Sequence, residues 1–192
     1  MKLILFGGVK GVGKTTLRSW LKTQFGNQIE LLDAGELFRQ YFYNEKLKTT
    51  DEIEEIIVSK LESAPSDSTV VVHWHYSVLL PSGYSPQVNF SRLRRLAKNG
   101  KINRITLLVV EAPIDVLRNR RLKDSPIKKR ELGEQAIAKE VEIDEEFLSK
   151  HFELFSEILG SQKVSIFRLV NTDLTTTQSV LYDFFRKLLG LV

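Results

Sequence analysis

Residues 8–15 read Gly-Val-Lys-Gly-Val-Gly-Lys-Thr and follow directly on the apolar run Leu3-Ile4-Leu5-Phe6. Glycines at this spacing, then a lysine and a hydroxyl residue, are what a phosphate cradle requires: a strand feeding a tight turn that opens a helix. Gly8, Gly11 and Gly13 permit positive φ and close approach of the backbone to a ligand. The N–H groups of the turn and helix start, through Val12, Lys14, Thr15 and Thr16, then favour negative charge at one place. Lys14 is expected to reach the β- and γ-phosphates, and the Thr15 hydroxyl to sit on Mg²⁺. The chemistry implied is binding of a nucleoside triphosphate.

Other residues could act beside that cradle. His73 and His75 stand at i and i+2 on a predicted strand and so point the same way. A His–His metal site is one reading. Hydrogen bonding to phosphates or loop backbone is the other, and is favoured, since the chain has no cysteine and no third ligand is evident. Asp33 is read either as the N-cap of the next helix, the preferred reading, or as a polar contact to a second substrate. No convincing catalytic Asp–His pair stands out.

The elements that position these groups follow from hydrophobic periodicity. A strand at Lys2–Phe6 leads through the glycine turn to a helix on which Leu17, Trp20, Leu21 and Phe25 share one face, ending at Gly26. A short strand is predicted over Gln28–Leu32. An amphipathic helix is predicted through Leu37, Phe38, Tyr41 and Phe42, and another from Asp51 through Leu61. Val70–Trp74, Ile105–Val110 and Val164–Val170 are further strands. Pro113 suits a helix start, Glu134–Leu159 forms a long helix stopped by Gly160, and Val180–Leu189 closes the chain as a helix. Uniform Val/Ile/Leu strands alternating with helices predict a doubly wound α/β fold: about five parallel strands with helices on both faces.

The length of 192 residues suits a single domain, and no apolar stretch approaches the roughly 20 residues that span a bilayer. With no signal-peptide pattern and no cysteine, a cytoplasmic protein without a membrane role is expected. The net charge of +4 is unevenly spread. Residues 118–130 are basic, 140–157 acidic, and Arg92, Arg94, Arg95, Lys98, Lys101 and Arg104 form a second basic cluster. Such clusters serve nucleic acid, polyphosphate or a solvated face, and the mild overall balance does not favour nucleic acid.

Several segments together resemble nucleoside monophosphate kinases of the P-loop NTPase fold, most closely the archaeal type of adenylate kinase. Gly35-Glu36-Leu37-Phe38-Arg39 resembles the Gly-x-x-x-Arg segment whose arginine grips the acceptor phosphate. His75 and the loop Pro81-Ser82-Gly83-Tyr84-Ser85-Pro86 match the family's strand end and Pro-x-Gly-Tyr-x-Pro, whereas His73 replaces the family's acidic residue. The stretch Leu107–Pro113 with Arg120, Arg121 and Asp124 resembles its fourth strand and lid approach, and Asn171-Thr172-Asp173 its adenine-flanking loop. The resemblance implies acceptor-binding helices over about 33–62 and a short lid over about 118–135. It places Lys14, Arg120 and Arg121 in the catalytic set and Gly35, Arg39, His75, Gly83 and Tyr84 at the acceptor. It further implies ATP and Mg²⁺ as cofactors, nucleotide substrates with AMP first, and a homo-oligomer. The alternatives are a kinase with a different small acceptor, or an ATP-binding switch acting on RNA or a protein through Arg92–Arg104. Strand 3 ends in His-Trp instead of the acidic pair of switch ATPases, and the Asn-Lys-x-Asp guanine signature is missing.

Overall fold

The computed structural model describes residues 1–80, 82–124 and 131–191. In chain order its elements are β1 (Lys2–Gly7), α1 (Lys14–Phe25), β2 (Glu30–Asp33), α2 (Ala34–Phe38) and a π-helical turn over Arg39–Asn44. There follow α3 (Thr50–Ser63), β3 (Thr69–His73), β4 (Val78–Leu80), β5 (Gly83–Ser85), α4 (Phe90–Lys98) and β6 (Arg104–Glu111). The last are α5 (Ile114–Asp124), α6 (Glu134–Leu159), a 3₁₀ turn, β7 (Val164–Val170) and α7 (Leu174–Leu189).

Five strands form one parallel sheet in the order β2-β3-β1-β6-β7, and β4 and β5 pair separately as an antiparallel hairpin. Successive side chains of a strand point to opposite faces, and here both faces are covered. On β1, Leu3 and Leu5 enter a core built with α3, α4 and the second half of α6, while Ile4 and Phe6 enter another built with α1, α7 and Leu117 of α5. That double covering is why the central strands carry no polar alternation. The edge strand β7 departs from it, with Ile166 and Val170 exposed.

The chain leaves β1 toward β2 and leaves β6 in the opposite direction, toward β7. The carboxyl ends of β1 and β6 therefore mark the reversal of strand order, where open α/β sheets bind ligands. Helix α6, 26 residues and so about 39 Å long, passes this edge. Its Ile137 belongs to one core and its Phe147, Leu148 and Phe155 to the other.

Several expectations shift. The second strand lies at Glu30–Asp33 because Gln28 and Ile29 still donate N–H bonds back to Phe25, and pairing with β3 sets Asp33 beside His73. The helix expected through Phe42 passes into the π turn after Phe38, with Glu45 N–H bonded to the Gln40 carbonyl at 3.0 Å. Leu37, Phe38, Tyr41 and Phe42 nonetheless all pack against the core. The hairpin was not expected, its strands being too short for periodicity to register. Nor was α4, where arginines dominate the pattern around buried Leu93, Leu96 and Ala97. Those arginines are paired inside the fold: Arg92 with Glu54 at 3.0 Å, Arg95 with Glu55 at 2.6 Å and Arg94 with Glu157 at 2.7 Å. Within the expected lid, residues 118–124 end α5, whereas Lys128, Lys129 and Arg130 lie outside the described residues.

Under α6 the His151 ring is fully buried among Trp74, Tyr76, Phe90 and Phe155. Its Nδ1–H donates to the Phe147 carbonyl at 2.6 Å. Burial holds its pKa at about 4, below the ordinary 6.5, so the folded chain keeps this ring neutral while the unfolded chain protonates it. Stability from this source is complete above pH 6.5 and is lost as pH falls toward 4. Urea unfolding at pH 5 should therefore show about 2 kcal/mol less stability than at pH 8 from His151 alone. His151→Phe should flatten that slope, and an unchanged slope would refute the assignment.

Candidate functional site

The glycine loop leaves β1 in a conformation that L side chains rarely adopt: φ is 129° at Gly8 and 96° at both Gly11 and Gly13. A Cβ on Gly8 would lie 2.3 Å from the Val110 carbonyl oxygen, and one on Gly13 2.5 Å from Asn171 Nδ2. Glycine is needed for the turn and for the close packing beneath it. Gly13 N-caps α1 with no capping side chain. Among the described residues, the N–H groups of Gly11, Val12, Gly13, Thr15 and Thr16 find no acceptor within the protein. These are the orphan donors of a helix N-terminus, extended backward into the loop. The Lys14 side chain is buried, and its ammonium donates to the carbonyls of Gly8 and, at 3.1 Å, of Val9. Thr15 and Thr16 are exposed.

Three side chains hold this loop from the far side. Arg121, 1% exposed, donates from Nε and Nη2 to the Lys10 carbonyl at 3.0 and 2.8 Å and pairs with Glu140 of α6 at 2.9 Å. Arg120 spans the Val12 carbonyl at 3.3 Å and the Asn171 carbonyl at 2.9 Å. Asn171 donates from Nδ2 to the Val12 carbonyl at 2.7 Å and accepts from the Thr177 hydroxyl at 3.2 Å. The backbone N–H of Asn171 reaches the Glu111 carbonyl, which fixes the turn after β7 against the end of β6.

A second group gathers at the ends of β2 and β3. Asp33 caps α2 through the Glu36 N–H at 2.9 Å, as preferred from the sequence. The same carboxylate pairs with Arg18 of α1, lies 3.8 Å from Arg39 and bonds His73 Nδ1 at 3.1 Å. Burial pushes its pKa up, but His73, the Glu36 N–H and Arg18 together outweigh that and lower it to about 2. His73 is 6% exposed, and its Nε2 has no partner. His75, ring centroid 6.0 Å away, is held well below its ordinary pKa by burial and by Lys14, His73, Lys10 and Arg39. Gln87 accepts the His75 backbone N–H at 2.6 Å. Tyr76 donates its hydroxyl to the Leu5 carbonyl at 2.9 Å and packs so close to β1 that a Cβ on Gly7 would meet the ring at 2.3 Å. Asp144, buried on α6, accepts from both the N–H and hydroxyl of Ser77 at 2.9 Å. Burial raises its pKa, and the Lys14 charge opposes that rise.

The fold thus brings Gly8–Thr16, Arg120 and Arg121 together, and Arg39 with His75 near the neighbouring strand ends. Arg121 lies behind the loop with its donors engaged there, while Arg39 is mostly exposed and pairs with Glu36 at 2.7 Å. Gly35 lies in α2 and its carbonyl is 3.5 Å from Arg39 Nε. Gly83 and Tyr84 lie on β5, with Tyr84 against the core, and among the described residues no hydrogen bond or ion pair links them to the glycine loop. Pro81 lies outside the described residues. No group of three or more potential metal ligands occurs among the described residues, and the His73 ring contacts the Asp33 carboxylate. The sequence reading missed Arg18, Asp144, Glu140 and the part played by Asn171. Asp144 had a signal: it shares the inward stripe of Ile137, Leu148, His151 and Phe155. A cavity of about 480 Å³ opens at the opposite, amino edge of the sheet beside Lys2, Gly26, Glu30 and Thr69, and contains none of these groups.

Asn171→Ala should lower stability by about 2 kcal/mol in urea unfolding, since it removes the bond to the buried Val12 carbonyl and leaves that carbonyl with only the longer contact from Arg120. A loss under about 0.5 kcal/mol would mean that the loop does not depend on this clamp.

No protein-family model matches this sequence, and no curated protein matches it. Solved structures do. An uncharacterized protein from Eubacterium ventriosum aligns over 96% of this chain and 98% of its own, at 12% identity and a TM-score of 0.48. A structure described as a putative kinase from Chloroflexus aurantiacus aligns over 97% of this chain and 96% of its own, at 15% identity and a TM-score of 0.53. The latter likeness establishes a shared α/β fold.

Proposed function

We propose that this protein is a P-loop phosphotransferase that moves the γ-phosphoryl group of Mg·ATP to a small acceptor seated at the ends of β2 and β3. The observation that carries this reading is the glycine loop: a run of N–H groups without acceptors among the described residues, at a helix N-terminus, beside a buried ammonium that donates to the loop carbonyls of Gly8 and Val9. These groups fit a polyphosphate. Lys14 exchanges the carbonyls of Gly8 and Val9 for phosphate oxygens, and the freed amides of Gly11–Gly13, Thr15 and Thr16 take the rest. The exposed Thr15 hydroxyl would hold Mg²⁺, which would neutralise charge on the phosphates. Arg120, tied to both the loop and the turn after β7, borders the donor side. The kinase description of the Chloroflexus aurantiacus structure agrees with this reading.

Catalysis of this kind rests on positioning and on cations around the transferring group. Arg121 contributes by fixing the Lys10 carbonyl, and therefore the curvature of the loop, in place of contacting the phosphoryl group. For the acceptor, the resemblance to archaeal-type adenylate kinases favours a nucleoside monophosphate, with Arg39 gripping its phosphate. A different small acceptor is the second reading. It is favoured by the Asp33 carboxylate, which stands where an incoming phosphate would meet negative charge and already draws on Arg18 and Arg39.

Lys14→Met should lower ADP formation by about 10²–10³-fold, while circular dichroism shows the folded α/β spectrum retained at the assay temperature. Turnover within a factor of two of the parent would refute the phosphotransferase mechanism.

A further inference from the structure

His73 is the residue whose environment the reaction outlined above does not use. Its ring is nine-tenths buried, one nitrogen is engaged and the other is stranded: Nδ1 lies 3.1 Å from Asp33 Oδ1, and Nε2 has neither a protein partner nor contact with solvent. The Asp33 carboxylate accepts, so Nδ1 carries the hydrogen, and in the neutral ring Nε2 holds a lone pair that no donor meets. A buried acceptor without a donor is destabilising. The sheet does not force that cost, because β2 and β3 are joined at this register by their own ladder. The arrangement of carboxylate, imidazole and unfilled nitrogen is that of an oriented base awaiting a proton.

We infer that His73 is a general base and that the acceptor presents a neutral hydroxyl group. The inference rests on the phosphotransferase reading of the glycine loop and names the acceptor class at that same site. A phosphate acceptor is already anionic and requires no base. A hydroxyl oxygen becomes a good nucleophile only as its proton leaves. In the step proposed, the acceptor O–H proton passes to His73 Nε2 and the oxygen lone pair forms a bond to the γ-phosphorus. The bond from that phosphorus to the β,γ-bridging oxygen breaks, and its electron pair departs on ADP. His73 then gives the proton to water, and the products are a phosphate monoester and ADP.

The surroundings agree with this division of labour. Asp33 keeps the imidazole in one tautomer and balances the imidazolium that forms. Arg18 and Arg39 hold the Asp33 carboxylate from α1 and from the π turn, so the orienting group is itself oriented. His75, the other nearby imidazole, sits among Lys14, Lys10 and Arg39, surroundings that oppose a positive ring. Nε2 is out of contact with solvent in the free protein, so acceptor binding must open access to it.

Three measurements test this together. Nitrogen-15 correlation spectra of the free protein, which has 3 histidines, should show His73 protonated at Nδ1 and bare at Nε2; a hydrogen on Nε2 would overturn the inference. Phosphoryl transfer from ATP is then followed by phosphorus NMR with water, nucleosides, pentoses and glycerol as hydroxyl acceptors, against AMP, CMP, GMP and UMP. Monoester or inorganic phosphate formation that His73→Gln slows by about 10²–10⁴-fold in kcat, with the KM for ATP within about threefold, supports the base. Asp33→Asn should lower kcat by about 10²-fold or more through loss of the orienting bond. Diphosphates formed only from the monophosphates, at rates His73→Gln leaves within threefold, would overturn the inference and leave the phosphotransferase intact. Failure to bind a fluorescent ATP analogue at all would instead reject the reading of the glycine loop.

Discussion

The carbonyl groups of a loop that has turned its N–H groups outward must find donors behind it, and most of this structure is arranged around that requirement. With Gly8, Gly11 and Gly13 at positive φ, the amides of Gly11, Val12, Gly13, Thr15 and Thr16 are left without acceptors among the described residues, and the carbonyls of Gly8, Val9, Lys10 and Val12 face the protein. Lys14, Arg121, Arg120 and Asn171 supply donors to those carbonyls, and all but Lys14 come from the far half of the chain. Arg121 is anchored in turn by Glu140 of α6, and Asn171 by Thr177 of α7. The loop is therefore rigid because β6, β7 and two helices converge on it. An anion-binding site made of backbone amides needs such support, since amides cannot be repositioned one at a time as side chains can.

The charge pattern resolves on the same principle. The basic cluster on α4 is matched by acids on α3 and α6, and Arg168 of β7 bridges Glu111 and Glu145. These exposed pairs contribute little stability individually. Their consequence is that Arg92, Arg94 and Arg95 present a mixed surface in place of a basic stripe, which weakens a role in gripping RNA. Burial, with Lys14, His73, Lys10 and Arg39 around the ring, explains why His75 resists protonation.

Which features were legible from the sequence depended on the range of the interaction involved. The strands β1, β3, β6 and β7 and the helix α6 declared themselves through local apolar runs and a Gly160 stop, and the order of motifs along the chain predicted a parallel sheet. The glycine loop was legible because its requirements are contained in eight consecutive residues. The hairpin at Val78–Ser85 and helix α4 were hidden, the one by brevity and the other by four arginine and lysine side chains masking Leu93 and Leu96. Asp33 was read correctly as a cap, yet its bond to His73 depends on a strand register between residues 40 apart and had no local trace. Asn171 looked like ordinary turn chemistry for the same reason: its partner Val12 is 159 residues away.

That long-range pairing also explains why histidine can stand where an acidic residue was expected. At the end of β3 an aspartate would face Asp33 across one rung of the sheet, two carboxylates about as close as the present 3.1 Å contact, and one of them would have to hold a proton. Imidazole removes the repulsion and turns the rung into a charge-assisted bond. It also faces Asp33 with a donor while keeping a second nitrogen for other work, which neither lysine nor asparagine does at this length. The substitution at 73 and the carboxylate at 33 are therefore one feature of the site: changing either alone leaves a buried partner uncompensated, and changing the pair alters what the acceptor meets beside the glycine loop.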